Sequence, residues 1–311
     1  MRCLSIHLTD LCNSKCSFCV VGSPLYTKDS IDYSLVKDFL RENAGQGFDA
    51  VNLHGGEATI HPKFLETLEL IRSLDYREVH LQTNGIKLAD PVFAREVFGS
   101  GVKLFIVSLH GDTPGIQDQQ TGTPGGFGRT IEGIRNVKAL GAAVRTNTVI
   151  TKTNLERLSD ISELAVSVGV DHVNFSNLHP VGSAIFGLSR MVPAFAEIRR
   201  YLYPAIDLAM VAGRRVTLEG FPHCTIRERI ELHLNKEYRD IRMLYRGRVI
   251  EDYDEFMNDV MRTYGPPCEN CSVRGFCGGV YTQYADLRGW GEFFPIPAHE
   301  NTSAAVASVE N

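Results

Sequence analysis

The chain of 311 residues has no apolar run that reaches the roughly 18–20 residues a membrane span needs. Its first residues, Met1-Arg2-Cys3-Leu4-Ser5, lack the apolar core of a secretory signal. The expectation is a cytoplasmic protein whose thiols stay reduced. An excess of positive charge is missing too. Net charge is −5, so no global field favours nucleic acid or an anionic membrane. Local basic residues in Arg227-Glu228-Arg229 and Arg246-Gly247-Arg248 read as solvated faces. Apolar residues make up 43% and charged residues 22%, which suits a globular enzyme of one large domain or one with an appendage. Repeats and low-complexity tracts are also lacking.

The most informative gap concerns cysteine. The eight cysteines sit at positions 3, 12, 16, 19, 224, 268, 271 and 277, and none falls between 20 and 223. Two groups at opposite ends of a reduced chain point to metal or cluster ligands rather than disulfides.

What fills the gap is regular alternation. Short β-branched runs predict strands at 4–8, 50–53, 78–82, 104–109, 144–150, 172–177 and 215–219. Amphipathic stretches between them predict helices near 33–45, 62–74, 90–99, 128–140, 155–168 and 192–212. Such alternation implies right-handed βαβ units and a parallel sheet, here an α/β partial (β/α)6 barrel. In these folds chemistry gathers at the C-terminal ends of strands. Asp10 and Cys12, then His54-Gly55-Gly56-Glu57, Thr83-Asn84-Gly85 and Ser108 to Asp112 all fall there. The alternation fades after about residue 220, and 225–262 reads as charged and mostly helical. The expected division is 1–215 for the barrel, 216–298 for a cysteine-bearing extension and 299–311 for a frayed tail.

The first cysteine group is Cys12-x3-Cys16-x2-Cys19, on a loop leaving the first strand. Three thiolates can hold three irons of a cubane that usually takes four, leaving one iron open. A closed zinc site is the alternative, and it needs a fourth ligand, for which only Cys3 and His7 are near in sequence. The second group, Cys268-x2-Cys271-x5-Cys277, has Cys224 upstream as a fourth thiol. Four thiolates close a cubane; a zinc knuckle is the competing reading. Cys3 reads as a buried thiol.

The first group, with aromatic Phe18 before its last cysteine, resembles the signature of the radical S-adenosylmethionine (SAM) superfamily, and Gly55-Gly56-Glu57 is similar to its GGE motif. The resemblance covers roughly residues 4–215. It implies a [4Fe–4S] cluster on Cys12, Cys16 and Cys19 whose open iron is chelated by SAM. It further implies that the backbone and carboxylate of Gly55, Gly56 and Glu57 hold the SAM amino group. Ser108, Arg145 and Asn147 match positions contacting the carboxylate or ribose, and Asn177 to Gly182 match adenine-contacting backbone. The extension resembles an auxiliary-cluster domain of the SPASM or shorter Twitch type. With Cys224, Cys268, Cys271 and Cys277 alone, a Twitch-like second [4Fe–4S] cluster is the better match.

Two roles for Cys224 stand open, cluster ligand and hydrogen-atom donor to a substrate radical as in some epimerases of the family. His110 and Asp112 are the best-placed candidates for substrate proton transfer, and Glu219 ends the last strand. The cluster loop begins at residue 12, which leaves no room ahead of it for a peptide-recognition domain. The expectation is therefore epimerisation or oxidation of a small sugar- or aminocyclitol-like substrate, with an external donor such as flavodoxin or ferredoxin. A peptide-modifying maturase is the alternative within the family. A non-enzymatic zinc-binding or electron-transfer protein is the alternative outside it.

Overall fold

A computed structural model describes residues 1–29, 31–234 and 240–298; the expected tail 299–311 lies outside the described residues. Seven strands alternate with helices: β1 (Cys3–His7), β2 (Ala50–His54), β3 (Glu78–Thr83), β4 (Val102–Ser108), β5 (Ala143–Val149), β6 (His172–Ser176) and β7 (Arg215–Glu219). The helices are α1 (Tyr33–Asn43), α2 (Phe64–Ser73), α3 (Pro91–Gly99), α4 (Pro114–Thr121), α5 (Gly126–Ala139), α6 (Leu158–Ser167), the single turn α7 (Leu188–Met191) and α8 (Phe195–Val211). These elements match the predicted alternation. Every residue of β1 and β6 is buried, as expected of strands covered on both faces by crossover helices. Helix starts follow local chemistry. Asp90 caps α3 by accepting from the Val92 amide at 2.8 Å, and Pro91 occupies the first turn, where its missing N–H costs nothing.

With β8 (Ile241–Tyr245) and β9 (Arg248–Ile250) included, the described residues form a nine-stranded sheet in the order β7-β6-β5-β4-β3-β2-β1-β8-β9. It is parallel throughout except for the final pair. Leu4, Ile6, Leu53, Leu81, Phe105 and Phe175 form its fully buried centre. Each such side chain contributes about 1.5–3 kcal/mol on burial.

Two features depart from the sequence reading. The short helix α4 was not anticipated, because its polar sequence hides the fact that Gln117 and Gln120 are buried. The described part of 225–262 carries helical turns, at His223–Leu232, Tyr253–Phe256 and Met257–Met261, but also strands that its charged sequence does not announce. It contains β8 (Ile241–Tyr245) and β9 (Arg248–Ile250), and β8 pairs in parallel with β1 from Cys3↔Ile241 to Ile6↔Leu244. Charged Arg242 and Arg246 mask the strand signal of Met243 and Leu244. The main sheet therefore runs across the expected boundary at 215, and β1 lies between two neighbours instead of at an edge.

Candidate active site

The cysteine loop leaves the C-terminal end of β1 and is held from several sides. The amides of Gly56 and Glu57 donate to the carbonyls of Thr9 (2.7 Å) and Leu11 (2.8 Å). The Lys15 and Ser17 amides donate to Thr121 and Gln120 at the end of α4, at 2.7 and 3.1 Å. The Ser183 amide reaches the Cys19 carbonyl at 2.9 Å. Loops after β1, β2 and β6 and the end of α4 thus converge on one segment.

Two of the three thiols are held in the protonated form. Burial pushes Cys12 up to about 12, with the charges of Glu57 and Cys19 adding to it. Burial also raises Cys16, reinforced by Cys19 and Cys12. Such a set is poor as free thiolates and suits a cation that reverses the local field. The fourth ligand a zinc site requires is not supplied by the residues named for it. His7 directs Nε2 at Asp10, 2.9 Å away, and Cys3 is buried at the opposite end of β1, donating to the Leu4 carbonyl at 3.4 Å. Three donors and no fourth from either of these fit a cubane with one open iron.

The glycines after β2 have a steric reason. Gly55 has φ +142°, and a Cβ there would lie 2.5 Å from the Thr9 carbonyl oxygen. The Glu57 carboxylate, 1% exposed, is engaged within the protein. It accepts from the Thr59 amide (3.2 Å) and hydroxyl (2.6 Å), the Thr83 hydroxyl (2.7 Å) and the Asn84 amide (2.7 Å). Burial raises its pKa while these donors oppose the rise. Glu57 thus ties the turns after β2 and β3 together. Asn84 extends the tie, donating to Asn13 Oδ1 at 2.6 Å and Ser14 Oγ at 3.3 Å within the cysteine loop.

Ser108 and Asn147 lie opposite each other on β4 and β5, both half-buried. Asn147 Oδ1 accepts from Asn174 Nδ2 at 2.7 Å and lies 2.6 Å from Ser176 Oγ. Asn174 and Ser176 each also lie 3.0 Å from Glu219 Oε2. A polar layer across β5, β6 and β7 results. Arg145, two residues before Asn147 on the same strand face, is 4% exposed and sits one step deeper. Gly182 (φ +59°) packs on the cysteine loop, since a Cβ there would lie 2.3 Å from the Cys19 carbonyl oxygen.

Three expected site residues have structural partners. Phe18 packs edge-on against His110, with ring centroids 4.7 Å apart, in a small cluster with Leu178 and Ala184. His110 Nδ1 accepts from the Val149 amide at 3.1 Å, and burial lowers its pKa to about 3. Asp112 accepts from Arg157 Nε at 3.2 Å. His110 is thus enclosed, and Asp112 is engaged by a guanidinium.

The second cysteine group meets its upstream partner. Cys224, Cys268, Cys271 and Cys277 line a single pocket walled by Pro222, Pro267, Val273, Val280, Phe293 and Phe294. Backbone amides point at the sulfurs: Ile296 to Cys271 at 3.4 Å, Phe294 to Cys224, and His223 and Gly279 to Cys277. Burial pushes Cys224 up to about 12, and Cys277, Cys271 and Cys268 add to it. Four thiols, apolar walls and N–H···S contacts are the kind of lining that could hold a cluster.

The basic clusters are not simple solvated faces. Arg229 pairs with Asp207 at 2.9 Å, and Arg227 donates to the Pro295 carbonyl at 2.8 Å. Arg246 donates from Nε to Asp10 Oδ1 at 2.7 Å and from Nη2 to the Val21 carbonyl at 2.9 Å. Asp10 is fully buried. Sequence reading missed this partner because 236 positions separate the two. The only local signal is an arginine where a tight hairpin turn prefers asparagine or glycine.

The family model described as the Radical SAM superfamily matches residues 6–181. A probable GTP 3′,8-cyclase of Saccharolobus islandicus is 32% identical over 184 residues, which is 58% of this chain and 58% of that protein. The chain thus spans little more than half the length of this curated relative. Among solved structures, Streptococcus suis SuiB bound to S-adenosylmethionine aligns over 94% of this chain and 76% of its own, with a TM-score of 0.69 and 17% identity. A radical SAM methyltransferase from Sphaerobacter thermophilus aligns over 70% of this chain and 64% of its own, with a TM-score of 0.52 and 20% identity. At such identities the likeness is one of fold.

Proposed function

This chain belongs to the radical SAM superfamily, and on that premise we propose that it is a two-cluster enzyme that oxidises its substrate after hydrogen-atom abstraction. Cys12, Cys16 and Cys19 would hold the initiating [4Fe–4S] cluster, and Cys224, Cys268, Cys271 and Cys277 a Twitch-like auxiliary one. SAM bound at the first cluster supplies, on one-electron reduction, the 5′-deoxyadenosyl radical that takes a hydrogen atom from carbon. The protein orients the reactants and keeps water out. The polar layer of Asn147, Ser176, Asn174 and Glu219 lines the same sheet end.

One observation carries the choice of oxidation over epimerisation. Cys224 shares its pocket with the other three C-terminal cysteines, so its sulfur is counted among the ligands. Epimerisation by a thiol needs a free cysteine at the substrate, and Cys3 is buried at the far end of β1. Cys224, Cys268, Cys271 and Cys277 would instead hold a cluster able to accept the substrate radical's electron. Flavodoxin or ferredoxin would reduce the initiating cluster.

Anaerobic reconstitution should yield about eight irons per chain, about four per cubane. Dithionite with SAM should release 5′-deoxyadenosine; full iron loading without that product overturns the reading. The substrate class is then chosen by three arms in deuterated water: an aminocyclitol, a peptide, and GTP. The last arm follows from the name of the archaeal relative. Loss of two hydrogens marks oxidation. Uptake of one deuterium without oxidation marks epimerisation and sinks the proposal.

A further inference from the structure

We propose that Arg246, from the extension that carries the second cysteine group, is a positioning residue for the initiating cluster. It clamps both ends of the cysteine loop. The guanidinium bonds Asp10, two residues before Cys12, and the Val21 carbonyl, two residues after Cys19, at 2.7 and 2.9 Å. Its Cζ also lies 4.5 Å from the ring centre of Tyr26, just beyond the loop. Lysine offers a point charge in place of this planar fork. The carboxylate it meets is fully buried, and His7 Nε2 approaches the same Oδ1 at 2.9 Å.

A second observation is independent of these contacts. Arg246 has φ +49° and Gly247 φ +76°, at the turn joining β8 to β9. Two consecutive positive φ values define a turn in which asparagine and glycine are strongly preferred. An arginine pays steric strain there, and strain of this kind points from the backbone outlier to a role for the side chain. The turn gains nothing from arginine; the cysteine loop does. The barrel half therefore does not complete its own cluster site. It borrows β8 beside β1 and the clamp from residues beyond the family match.

This inference rests on Cys12, Cys16 and Cys19 being the cluster ligands, and the test separates the two. Arg246→Asn removes the guanidinium while suiting the turn. The holoenzyme variant, reconstituted anaerobically, should keep its circular dichroism spectrum and the four irons of the second site. Its total iron should fall about twofold, toward about four per chain. Adding SAM should no longer shift the electron paramagnetic resonance spectrum of the dithionite-reduced protein. Arg246→Lys should fall between the variant and the wild type. The Cys12→Ala/Cys16→Ala/Cys19→Ala protein sets the benchmark for complete loss of the first cluster. If that triple variant also keeps about eight irons, the ligand assignment and the clamp fall together. A triple variant at about four irons beside an Arg246→Asn protein at about eight, with a normal SAM response, overturns the clamp alone. Loss of all iron together with the helical signal would show a general folding role and overturn it as well.

Discussion

The α-carbon of Gly56 faces the Leu11 carbonyl so closely that a Cβ would lie 2.1 Å from the oxygen. The turn after β2 and the cysteine loop after β1 are thus in backbone contact, and side-chain motion cannot relieve a clash. Gly56→Ala should displace the cysteine loop at a cost of roughly 1–3 kcal/mol or more. The expected outcome is a lower denaturation midpoint and loss of about half the reconstituted iron, read by urea titration and iron analysis. A variant with wild-type iron would show that the loop tolerates the shift.

Glu57→Gln tests whether that carboxylate ties loops together. Its four donors, from Thr59, Thr83 and Asn84, leave no place for an amide N–H. Hydrogen bonds to a charged acceptor contribute about 1.5–3 kcal/mol each, and one mismatched donor costs on that order. Stability of the metal-free protein should fall by about 2 kcal/mol. Calorimetry without iron or SAM isolates this from any effect on cofactor binding; an unchanged midpoint would return Glu57 to the ligand.

Cys268→Ser and Cys224→Ala should each cost the second cluster, about four irons, and leave SAM cleavage at the first intact. If Cys224→Ala keeps about eight irons, Cys224 is not a ligand and the hydrogen-donor role returns.

Asp112→Asn should leave 5′-deoxyadenosine formation unchanged. Arg157, its partner, is 44% exposed at the side chain, and an asparagine oxygen can still accept from its guanidinium. A large drop in turnover with normal SAM cleavage would restore Asp112 to a proton-transfer role.

His172 sets a pH dependence. Burial, then the charges of Arg145 and Arg215, lower its pKa to about 3 from an ordinary 6.5. The unfolded chain therefore takes up a proton near pH 6.5 that the folded protein refuses until about pH 3. The stabilisation from the neutral ring is present above pH 6.5 and is lost as pH falls toward 3, by at most about 1.4 kcal/mol per pH unit. Metal-free His172→Asn should show a shallower loss of stability between pH 6.5 and 5 than the wild type. Parallel profiles would show that the ring protonates in the folded state.

Much of the architecture was determined locally. Short β-branched runs and amphipathic stretches mark β1 to β7 and the longer helices, because each carries its own local signal. The spacing of Cys12, Cys16 and Cys19 likewise marks a cluster loop, since ligands close in sequence need only one loop to converge. Tertiary structure alone decided where distant groups meet. β8 lies beside β1 because its apolar residues complete a sheet flank, although its arginines obscure the strand in sequence. Glu57 turns inward because donors from the next strand's end reach it. Cys224 joins Cys268, Cys271 and Cys277 only when the chain folds back across more than forty residues. Arg246 finds Asp10 for the same reason. Pairings across such distances depend on which strands become neighbours, and no local pattern of residues encodes that.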